Sequence, residues 1–359
     1  MKKFVFIVPA LDSPRAIKRV EEFVAEGYEV KVFAFSRGNQ LINSNLGFKY
    51  ELIGSFPNST PYIKRLPVLR KAIGRVVKRE GKEPIYYVFG SYLGIFVSLC
   101  WPQLGIIYEE GDLAHTYIKN ALLRWILERL DRRVIRKSLL TVFTSEGFLR
   151  YHYGKEIPKN SIVVSNRIDA KILSYQRKNS SPLSIEHLSI GFVGKPRFKS
   201  VVNFATVFCR SFPTYQFHFF GGPVGKDFES LRDYPNCHFH GFFITPDDLT
   251  DIYSQLDLVL STYDVEFENV RYAEPNKLYE AIYFETPIIV SKGTFLAEKA
   301  EELGVGCAID PLNDKEIISF IQRLSLEDIL KMIGKAKEFP PTYCINSNRT
   351  LFERIRNLE

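Results

Sequence analysis

The residues with the clearest chemical potential lie in the stretch AEPNKLYEAIYFETPIIVS, residues 273–291. Pro275 and Asn276 are typical of a helix start, and Lys277 adds a full positive charge at the same end. Glu280 follows one turn later with two acceptor oxygens. Helix amides and a lysine attract phosphate oxygens, and a carboxylate accepts hydrogen bonds from both hydroxyls of a ribose. The stretch therefore predicts a site for a nucleoside diphosphate.

Several common catalytic motifs are missing from the chain. The loop after the first predicted strand, PALDSPR, contains no glycine, so the glycine-rich fingerprint of a dinucleotide enzyme is absent. The sequence also has no phosphate-binding G-x-x-x-x-G-K-[ST] loop, no G-x-S-x-G elbow, no H-E-x-x-H and no Asp/His cluster at metal spacing. Hydride transfer, P-loop hydrolysis and zinc proteolysis are therefore disfavoured, and we expect neither a metal nor another cofactor.

The length and composition indicate what kind of protein must position these residues. A chain of 359 residues is too long for one ordinary core and favours two domains of about 150–200 residues each. A hydrophobic fraction of 45% with 25% charged residues excludes global disorder. The five scattered cysteines show no C-x-x-C spacing, which argues against disulfides or a zinc site and favours a reducing compartment. We therefore expect a cytoplasmic protein.

Strand and helix patterns alternate in two successive series, which predicts an α/β fold with two Rossmann-like, doubly wound domains. The predicted boundaries are 1–168 for the first domain, 169–188 for a polar linker, 189–340 for the second domain and 341–359 for a C-terminal helix that returns to the first. Two such domains are expected to face each other across a cleft at the carboxyl ends of their strands.

Two segments raise the question of a membrane. The uncharged stretch 84–108 is nominally long enough to span a bilayer, but its glycines and its proline divide it into a strand, a helix and a second strand. The segment 62–79 carries seven basic residues and no acid. Its helical pattern fits either an ordinary surface helix or a helix that lies on an anionic membrane.

The second half also resembles a known family. PNKLYEAIYFETPIIVS, with IGFVGKPRFKS, FHFFGG and YSQLDLVLSTYD before it, is similar to the donor-binding half of GT-B glycosyltransferases of the family 4 type, particularly those that build bacterial capsular and surface polysaccharides. IIYEEGDLAHTY, LERLDRRVIRKSLLTVFTSEGF and VVSNRID resemble segments of the first domain in the same order. The resemblance implies that the second domain binds the nucleotide sugar and the first binds the acceptor.

The resemblance also implies roles for individual residues. Glu280 would bind the ribose of the donor, while Arg197 and Lys277 would hold the diphosphate and stabilise the charge that builds on it without a metal. Arg197 is preferred over Lys195 and Lys199 because its planar guanidinium suits paired phosphate oxygens, although the sequence leaves this choice open. Retention of anomeric configuration, with no protein nucleophile, follows from the resemblance alone.

The chain departs from the family pattern at three places. Many relatives have a second glutamate eight residues before the ribose ligand, where this chain has Tyr272. Glu274, out of register, or nearby main-chain amides would then contact the sugar. Gly111 stands where relatives often have a histidine, and the first loop lacks a glycine pair.

Asp112 is the candidate general base, with an N-cap role as the alternative, and His115 is the next candidate on the acceptor side.

These observations predict a cytoplasmic glycosyltransferase, attached at the inner face of the cell membrane through residues 62–79, that uses a nucleotide-diphosphate sugar and a glycan or lipid-linked acceptor in surface polysaccharide synthesis. One alternative is a nucleotide-sugar 2-epimerase of the same fold. The other is a non-catalytic protein that binds membranes or nucleic acid, which the net charge of +7 suggests but the second-half motif does not explain. We expect no nucleic acid partner.

Overall fold

A computed structural model of the protein describes residues 2–11, 13–37, 46–57, 60–175, 177 and 185–358. The chain divides into two compact units, one formed by Met1–Val164 with Ser347–Glu359 and the other by Ser165–Asn346. Part of the predicted linker, residues 176 and 178–184, lies outside the described residues, as does Asp12 of the first loop.

The first unit is a parallel sheet with helices on both faces. Its strands are β1 (Lys3–Val8), β2 (Glu29–Arg37), β3 (Tyr50–Phe56), β4 (Ile85–Phe89), β5 (Ile106–Glu110), β6 (Leu140–Phe143) and β7 (Ser161–Val163). Its helices up to residue 164 are α1 (Pro14–Ala25), α2 (Tyr62–Glu80), α3 (Ser91–Cys100), α4 (Ala121–Lys137) and α5 (Glu146–Tyr153). The strand order is β3-β2-β1-β4-β5-β6-β7, so the direction of winding changes between β1 and β4.

The second unit repeats this plan. Its strands are β8 (Ser189–Val193), β9 (Gln216–Phe220), β10 (Cys237–Gly241), β11 (Leu258–Ser261), β12 (Ile288–Ser291) and β13 (Gly306–Ile309). Its α-helices are α6 (Lys199–Ser211), α7 (Leu249–Ser254), α8 (Glu268–Tyr272), α9 (Lys277–Tyr283), α10 (Phe295–Glu302), α11 (Asp314–Arg323), α12 (Leu326–Lys337) and α13 (Pro341–Cys344). The order β10-β9-β8-β11-β12-β13 changes direction between β8 and β11. Ligands of such sheets bind beyond the carboxyl ends of the strands at this point.

The uncharged stretch 84–108 forms β4, α3 and the start of β5, as predicted. Both strands lie in the middle of the first sheet, and Tyr86, Tyr87 and Tyr108 are fully buried there. The apolar run is therefore core of an α/β domain. Among the described residues, no helix combines the length and hydrophobicity that crossing a membrane requires.

The end of the chain packs on the first sheet. Helix α14 (Arg349–Arg356) buries Leu351, Phe352 and Ile355 in the same core as the side chains of α1 and β1. The ring of Phe352 meets the ring of Phe23 edge-on at 5.1 Å. The amphipathic pattern at 349–356 thus gives a helix whose apolar stripe belongs to the first unit.

Candidate functional site

The chemical centre of the second unit is the carboxylate of Glu280, in the first turn of α9. The residue is 1% exposed. Its Oε1 accepts a hydrogen bond from Asn276 Nδ2 at 2.8 Å, and its Oε2 accepts from Tyr253 OH at 2.7 Å and Lys277 Nζ at 2.5 Å. Donors on both oxygens fix the carboxylate in one orientation. Three residues singled out from the sequence are therefore brought together, and Tyr253 joins them.

Tyr253 holds the Glu280 carboxylate through its hydroxyl group. Its ring stacks on Phe284 with centroids 4.6 Å apart, which fixes the phenol. Burial and the neighbouring Glu280 carboxylate raise the pKa of Tyr253 well above its usual value. The hydroxyl therefore stays protonated and remains a donor to Glu280. The sequence showed no signal for this contact, because Tyr253 lies 27 residues away on another helix.

Glycines bring the loops after β8 and β9 close to this carboxylate. Gly194 follows β8 with φ 141°, and a Cβ added there would lie 4.0 Å from Lys277 Cε. A Cβ on Gly221, after β9, would lie 2.0 Å from the carbonyl oxygen of Gly194. Only glycine permits this approach of two main chains. The basic end of α9 therefore lies beside bare backbone at the carboxyl edge of the sheet.

The basic loop after β8 presents its side chains to solvent. Arg197 is exposed, and its guanidinium lies over the ring of Phe198 at 4.9 Å. Phe198 meets Tyr263 edge-on at 5.0 Å. Burial raises the pKa of Tyr263, while a hydrogen bond with Ser261 and the nearby charge of Arg197 oppose the rise. Arg197 is thus held by aromatic contacts close to the loop that follows β11.

The N-terminus of α6 is already capped by a carboxylate side chain of the second unit. Asp264 accepts hydrogen bonds from the main-chain amides of Lys199 at 3.1 Å and Ser200 at 2.8 Å. A carboxylate at this position satisfies the amides that would otherwise attract phosphate. The side chains of Lys195 and Lys199 are exposed. They offer mobile positive charge, whereas the helix end itself is capped by Asp264.

Glu274 is buried, and an internal cation neutralises it. Its side chain lies 3.0 Å from Lys299 Nζ and accepts a hydrogen bond from Tyr279 OH. The guanidinium of Arg167 lies over the Tyr279 ring, 4.7 Å from its centroid. Tyr279 lies in the same stretch as Glu274 but was not singled out there, and Lys299 and Arg167 come from other segments of the chain. Their contacts hold the loop that leads into α9.

The two first-unit candidates differ in exposure. Asp112 is exposed, directly after the buried strand β5, and Leu113 rather than Asp112 occupies the N-cap position of the following 3-10 helix, Ala114–Tyr117. His115 is only 3% exposed. Its Nε2 lies 3.2 Å from Tyr151 OH and its Nδ1 lies 3.7 Å from Asp131 Oδ2. The structure therefore places His115 in a buried cluster of the first unit.

The architecture matches known structures over nearly the whole chain. Sucrose-phosphate synthase from Thermosynechococcus elongatus aligns with a TM-score of 0.71 at 13% identity, covering 99% of this chain and 98% of that one. Anabaena HepE, solved in complex with UDP and glucose, aligns with a TM-score of 0.69 at 15% identity over the full length of both chains. The chain has the GT-B fold. The prediction of two Rossmann-like sheets is confirmed.

Sequence comparison adds one relative to these GT-B structures. The succinoglycan biosynthesis protein ExoL of Rhizobium meliloti is 19% identical over 332 residues, which cover 86% of this chain and 81% of ExoL. No family model matches the sequence. At these identities the solved structures establish the fold alone, so the function is argued from the site.

Proposed function

We propose that this chain is a glycosyltransferase that moves a sugar from a nucleotide-diphosphate sugar to a glycan or lipid-linked acceptor in surface polysaccharide synthesis. The observation that carries the proposal is the buried Glu280 carboxylate, held by Asn276, Lys277 and Tyr253 beside the loop at Gly194. The UDP and glucose in the HepE structure support this class of donor, and the name of ExoL supports the pathway.

The contacts of Glu280 suggest how the donor binds. The two ribose hydroxyls are donors, and on binding they replace contacts that Asn276 and Lys277 make with the carboxylate. Tyr253 keeps its hydrogen bond and holds the carboxylate in place. Lys277 Nζ, which is on a flexible stem and lies next to Gly194, then turns to the diphosphate. The positive charge of Lys277 then neutralises the phosphates instead of the Glu280 carboxylate.

Bond cleavage places negative charge on the departing nucleoside diphosphate. Lys277 and the exposed Arg197 stabilise that charge from the same edge of the sheet, and no metal is needed for this step. The acceptor hydroxyl attacks from the face of the leaving group, whose phosphate takes the proton, so the configuration is retained. Within the first unit, Asp112 is proposed to accept a hydrogen bond from the acceptor.

Donor binding tests the role of Glu280. In a thermal-shift and calorimetry series with UDP, GDP, dTDP, ADP and CMP and their sugars, we expect one diphosphate class to bind the wild type. Glu280→Gln should weaken that binding about 10- to 100-fold, because hydrogen bonds to a charged partner are worth about 1.5–3 kcal/mol. Glu302→Gln, at an exposed position of α10, is the matched control and should bind as the wild type does. Equal binding by all three proteins would remove Glu280 from the site.

Product analysis separates transfer from epimerisation. A 2-epimerase converts the donor alone, whereas a transferase consumes it only when an acceptor or water takes the sugar. We expect the nucleotide sugar recovered after incubation with the enzyme alone to keep its configuration at C2. Appearance of the C2 epimer without acceptor would replace the transferase by the alternative enzyme.

The basic helix α2 contributes charge to a membrane contact, but not its apolar face. Leu69, Ile73 and Val76 are buried in the first unit, while Lys71 and Arg75 are exposed. An apolar face that packs on the core cannot also enter a bilayer. Apart from the exposed Ile63, Leu66 and Val68 near its start, α2 is therefore proposed to attract an anionic surface without inserting into it.

Helix α4 of the same unit supplies the insertion surface. Its first two turns expose Leu122 by 67%, Leu123 by 47%, Trp125 by 51% and Ile126 by 39%. Arg129 lies over the Trp125 ring at 4.5 Å. Right-handed crossovers put α2 and α4 on the same face of the first sheet. Exposed aromatic and aliphatic residues flanked by cations are typical of a helix at the surface of an anionic bilayer.

Sedimentation with vesicles tests this surface. The wild type should bind vesicles that contain phosphatidylglycerol at low salt, and less at raised salt. Leu122→Ser/Trp125→Ser should weaken binding at least about 100-fold, because burying each large side chain contributes about 1.5–3 kcal/mol. Leu330→Ser, at an exposed leucine of the second unit, is the control. A wild type that stays in solution at low salt would exclude membrane attachment and leave the transferase proposal intact.

A further inference from the structure

A cluster of metal-ligating side chains lies inside the first unit, and the glycosyl-transfer proposal does not use it. Glu110 ends β5, Asp131 belongs to α4, and His152 belongs to α5. One ligand atom from each lies within 4.8 Å of the other two. His115 lies beside this group, with its Nδ1 3.7 Å from Asp131 Oδ2. The four residues are between 0% and 4% exposed.

The hydrogen bonds within the cluster are incomplete. His152 Nε2 lies 2.8 Å from Glu110 Oε1, and Tyr108 OH donates to Asp131 Oδ1 at 2.8 Å. Among the residues that the structure describes, Glu110 Oε2, Asp131 Oδ2, and Nδ1 of both His115 and His152 lack a hydrogen-bond partner. Buried polar atoms are nearly always paired, so four unpaired atoms on these neighbouring residues require an explanation.

The charges of the cluster also favour a cation. Two carboxylates are buried together, and the nearby Arg132 directs its guanidinium to Glu128 at 2.8 Å. Protonation of both histidines would balance the carboxylates, but the 3.7 Å separation of His115 Nδ1 and Asp131 Oδ2 is too long for a hydrogen bond. One divalent ion would balance both carboxylates and coordinate neutral histidines. Ligand atoms around a tetrahedral zinc ion lie about 3.3 Å apart, within the 4.8 Å limit that the ligand atoms of Glu110, Asp131 and His152 meet.

The surroundings orient the ligands in the way that metal sites require. Tyr108 holds the second oxygen of Asp131, and Tyr151 OH lies 3.2 Å from Nε2 of His115. Such outer contacts fix the tautomer of a histidine and leave its other nitrogen free to coordinate. When Nε2 of His115 donates to Tyr151, the lone pair of Nδ1 points toward Asp131.

We propose that Glu110, Asp131 and His152 bind one divalent transition-metal ion of the zinc class, with His115 beside them. One imidazole with two carboxylates, and a second imidazole nearby, suits zinc better than magnesium or calcium, which prefer oxygen ligands alone. Because the ligands are buried, the ion binds as the unit folds and joins β5, α4 and α5. The site is structural, and it stands whether or not the chain transfers sugars.

Metal analysis of the full-length protein tests the site. The protein is purified without a histidine tag, unfolded with a chelator, refolded with or without Zn²⁺, and measured by mass spectrometry for metal content. We expect about one ion per chain after refolding with Zn²⁺ and a higher unfolding midpoint than after refolding with the chelator. The fluorescence of Trp101 and Trp125 reports this unfolding, because both tryptophans of the chain lie in the first unit.

Variants assign the ion to the cluster. Asp131→Asn and His152→Gln should each lose most of the bound zinc and its effect on the midpoint. The histidines His218, His238 and His240 of the second unit are the most plausible source of adventitious binding, since Nδ1 of the first lies 3.0 Å from Nε2 of the last. His240→Gln should therefore retain the ion. Loss of zinc in His240→Gln, or a wild type with neither zinc nor a zinc-dependent midpoint, would overturn the proposal even if a cluster variant failed to fold.

Discussion

Lys277→Met should lower kcat/KM for sugar transfer about 100- to 1000-fold, the range found when one group that stabilises developing negative charge is removed. Lys277 Nζ is poised 2.5 Å from the Glu280 carboxylate and next to the backbone at Gly194, and we propose that it moves to the diphosphate when donor binds. Release of nucleoside diphosphate from the donor identified by binding measures the rate. A fall of less than about tenfold would be too small for a group that acts on the leaving phosphate.

Two further variants separate charge from structure. Lys277→Arg keeps the positive charge but changes its shape, so we expect it to recover part of the lost activity. Lys315→Met removes an exposed lysine from α11 of the same unit and should leave the rate unchanged. Unfolding midpoints of all variants should be compared, because Lys277 also neutralises the buried Glu280. A loss of activity that follows the midpoint would indicate a structural role.

Arg19→Met should destabilise the first unit by about 3–5 kcal/mol, the cost of breaking a buried ion pair from one side. The guanidinium is 5% exposed and bonds Glu109 Oε2 and Glu22 Oε2, each at 2.9 Å, and also Asn348. Tyr87 OH donates to Glu109 as well. Without Arg19, the Glu109 carboxylate stays buried in the sheet with no cation among these contacts. Urea unfolding followed by tryptophan fluorescence measures the change.

Two further variants compare the buried Arg19–Glu109 pair with an exposed ion pair and with a site whose carboxylate has been neutralised. Arg150→Met breaks an exposed pair with Glu146 and should cost no more than about 1 kcal/mol. The double variant Arg19→Met/Glu109→Gln removes the uncompensated charge and should recover much of the stability. If Arg19→Met shifted the midpoint no further than Arg150→Met, the buried pair would contribute nothing measurable to the fold.

Local patterns in the sequence predicted most of the elements. Glycines and a proline divide the apolar stretch 84–108, which predicts a strand, a helix and a second strand. In the structure it forms β4, α3 and the start of β5. The basic segment 62–79 reads as an amphipathic helix and forms α2. The strand β3 and the helices α11 and α12 were not assigned, although capping signals such as Ser325 with Asp328 are present before α12.

The candidate site was predictable only where its residues are neighbours in sequence. Asn276, Lys277 and Glu280 lie within one turn of α9, so their spacing alone places them together. Tyr253 and Gly194 reach the same place from other elements, by strand order and loop geometry. The helical pattern of α4 could be predicted, but the solvent exposure of its apolar side chains could not. Trp125 and Leu122 are exposed, although a globular protein usually buries such residues.

By itself, the sequence determined the alternation of strands and helices, the two-domain α/β class and the short motif around Glu280, because these depend on hydrophobic period and on spacing within one turn. The tertiary structure decided which distant residues meet. Glu110, Asp131 and His152 follow one another at intervals of 21 residues, with no motif between them, and only the packing of β5, α4 and α5 brings their side chains together in one buried place. Side-chain clusters of this kind depend on the order of strands in the sheet, which local sequence does not encode.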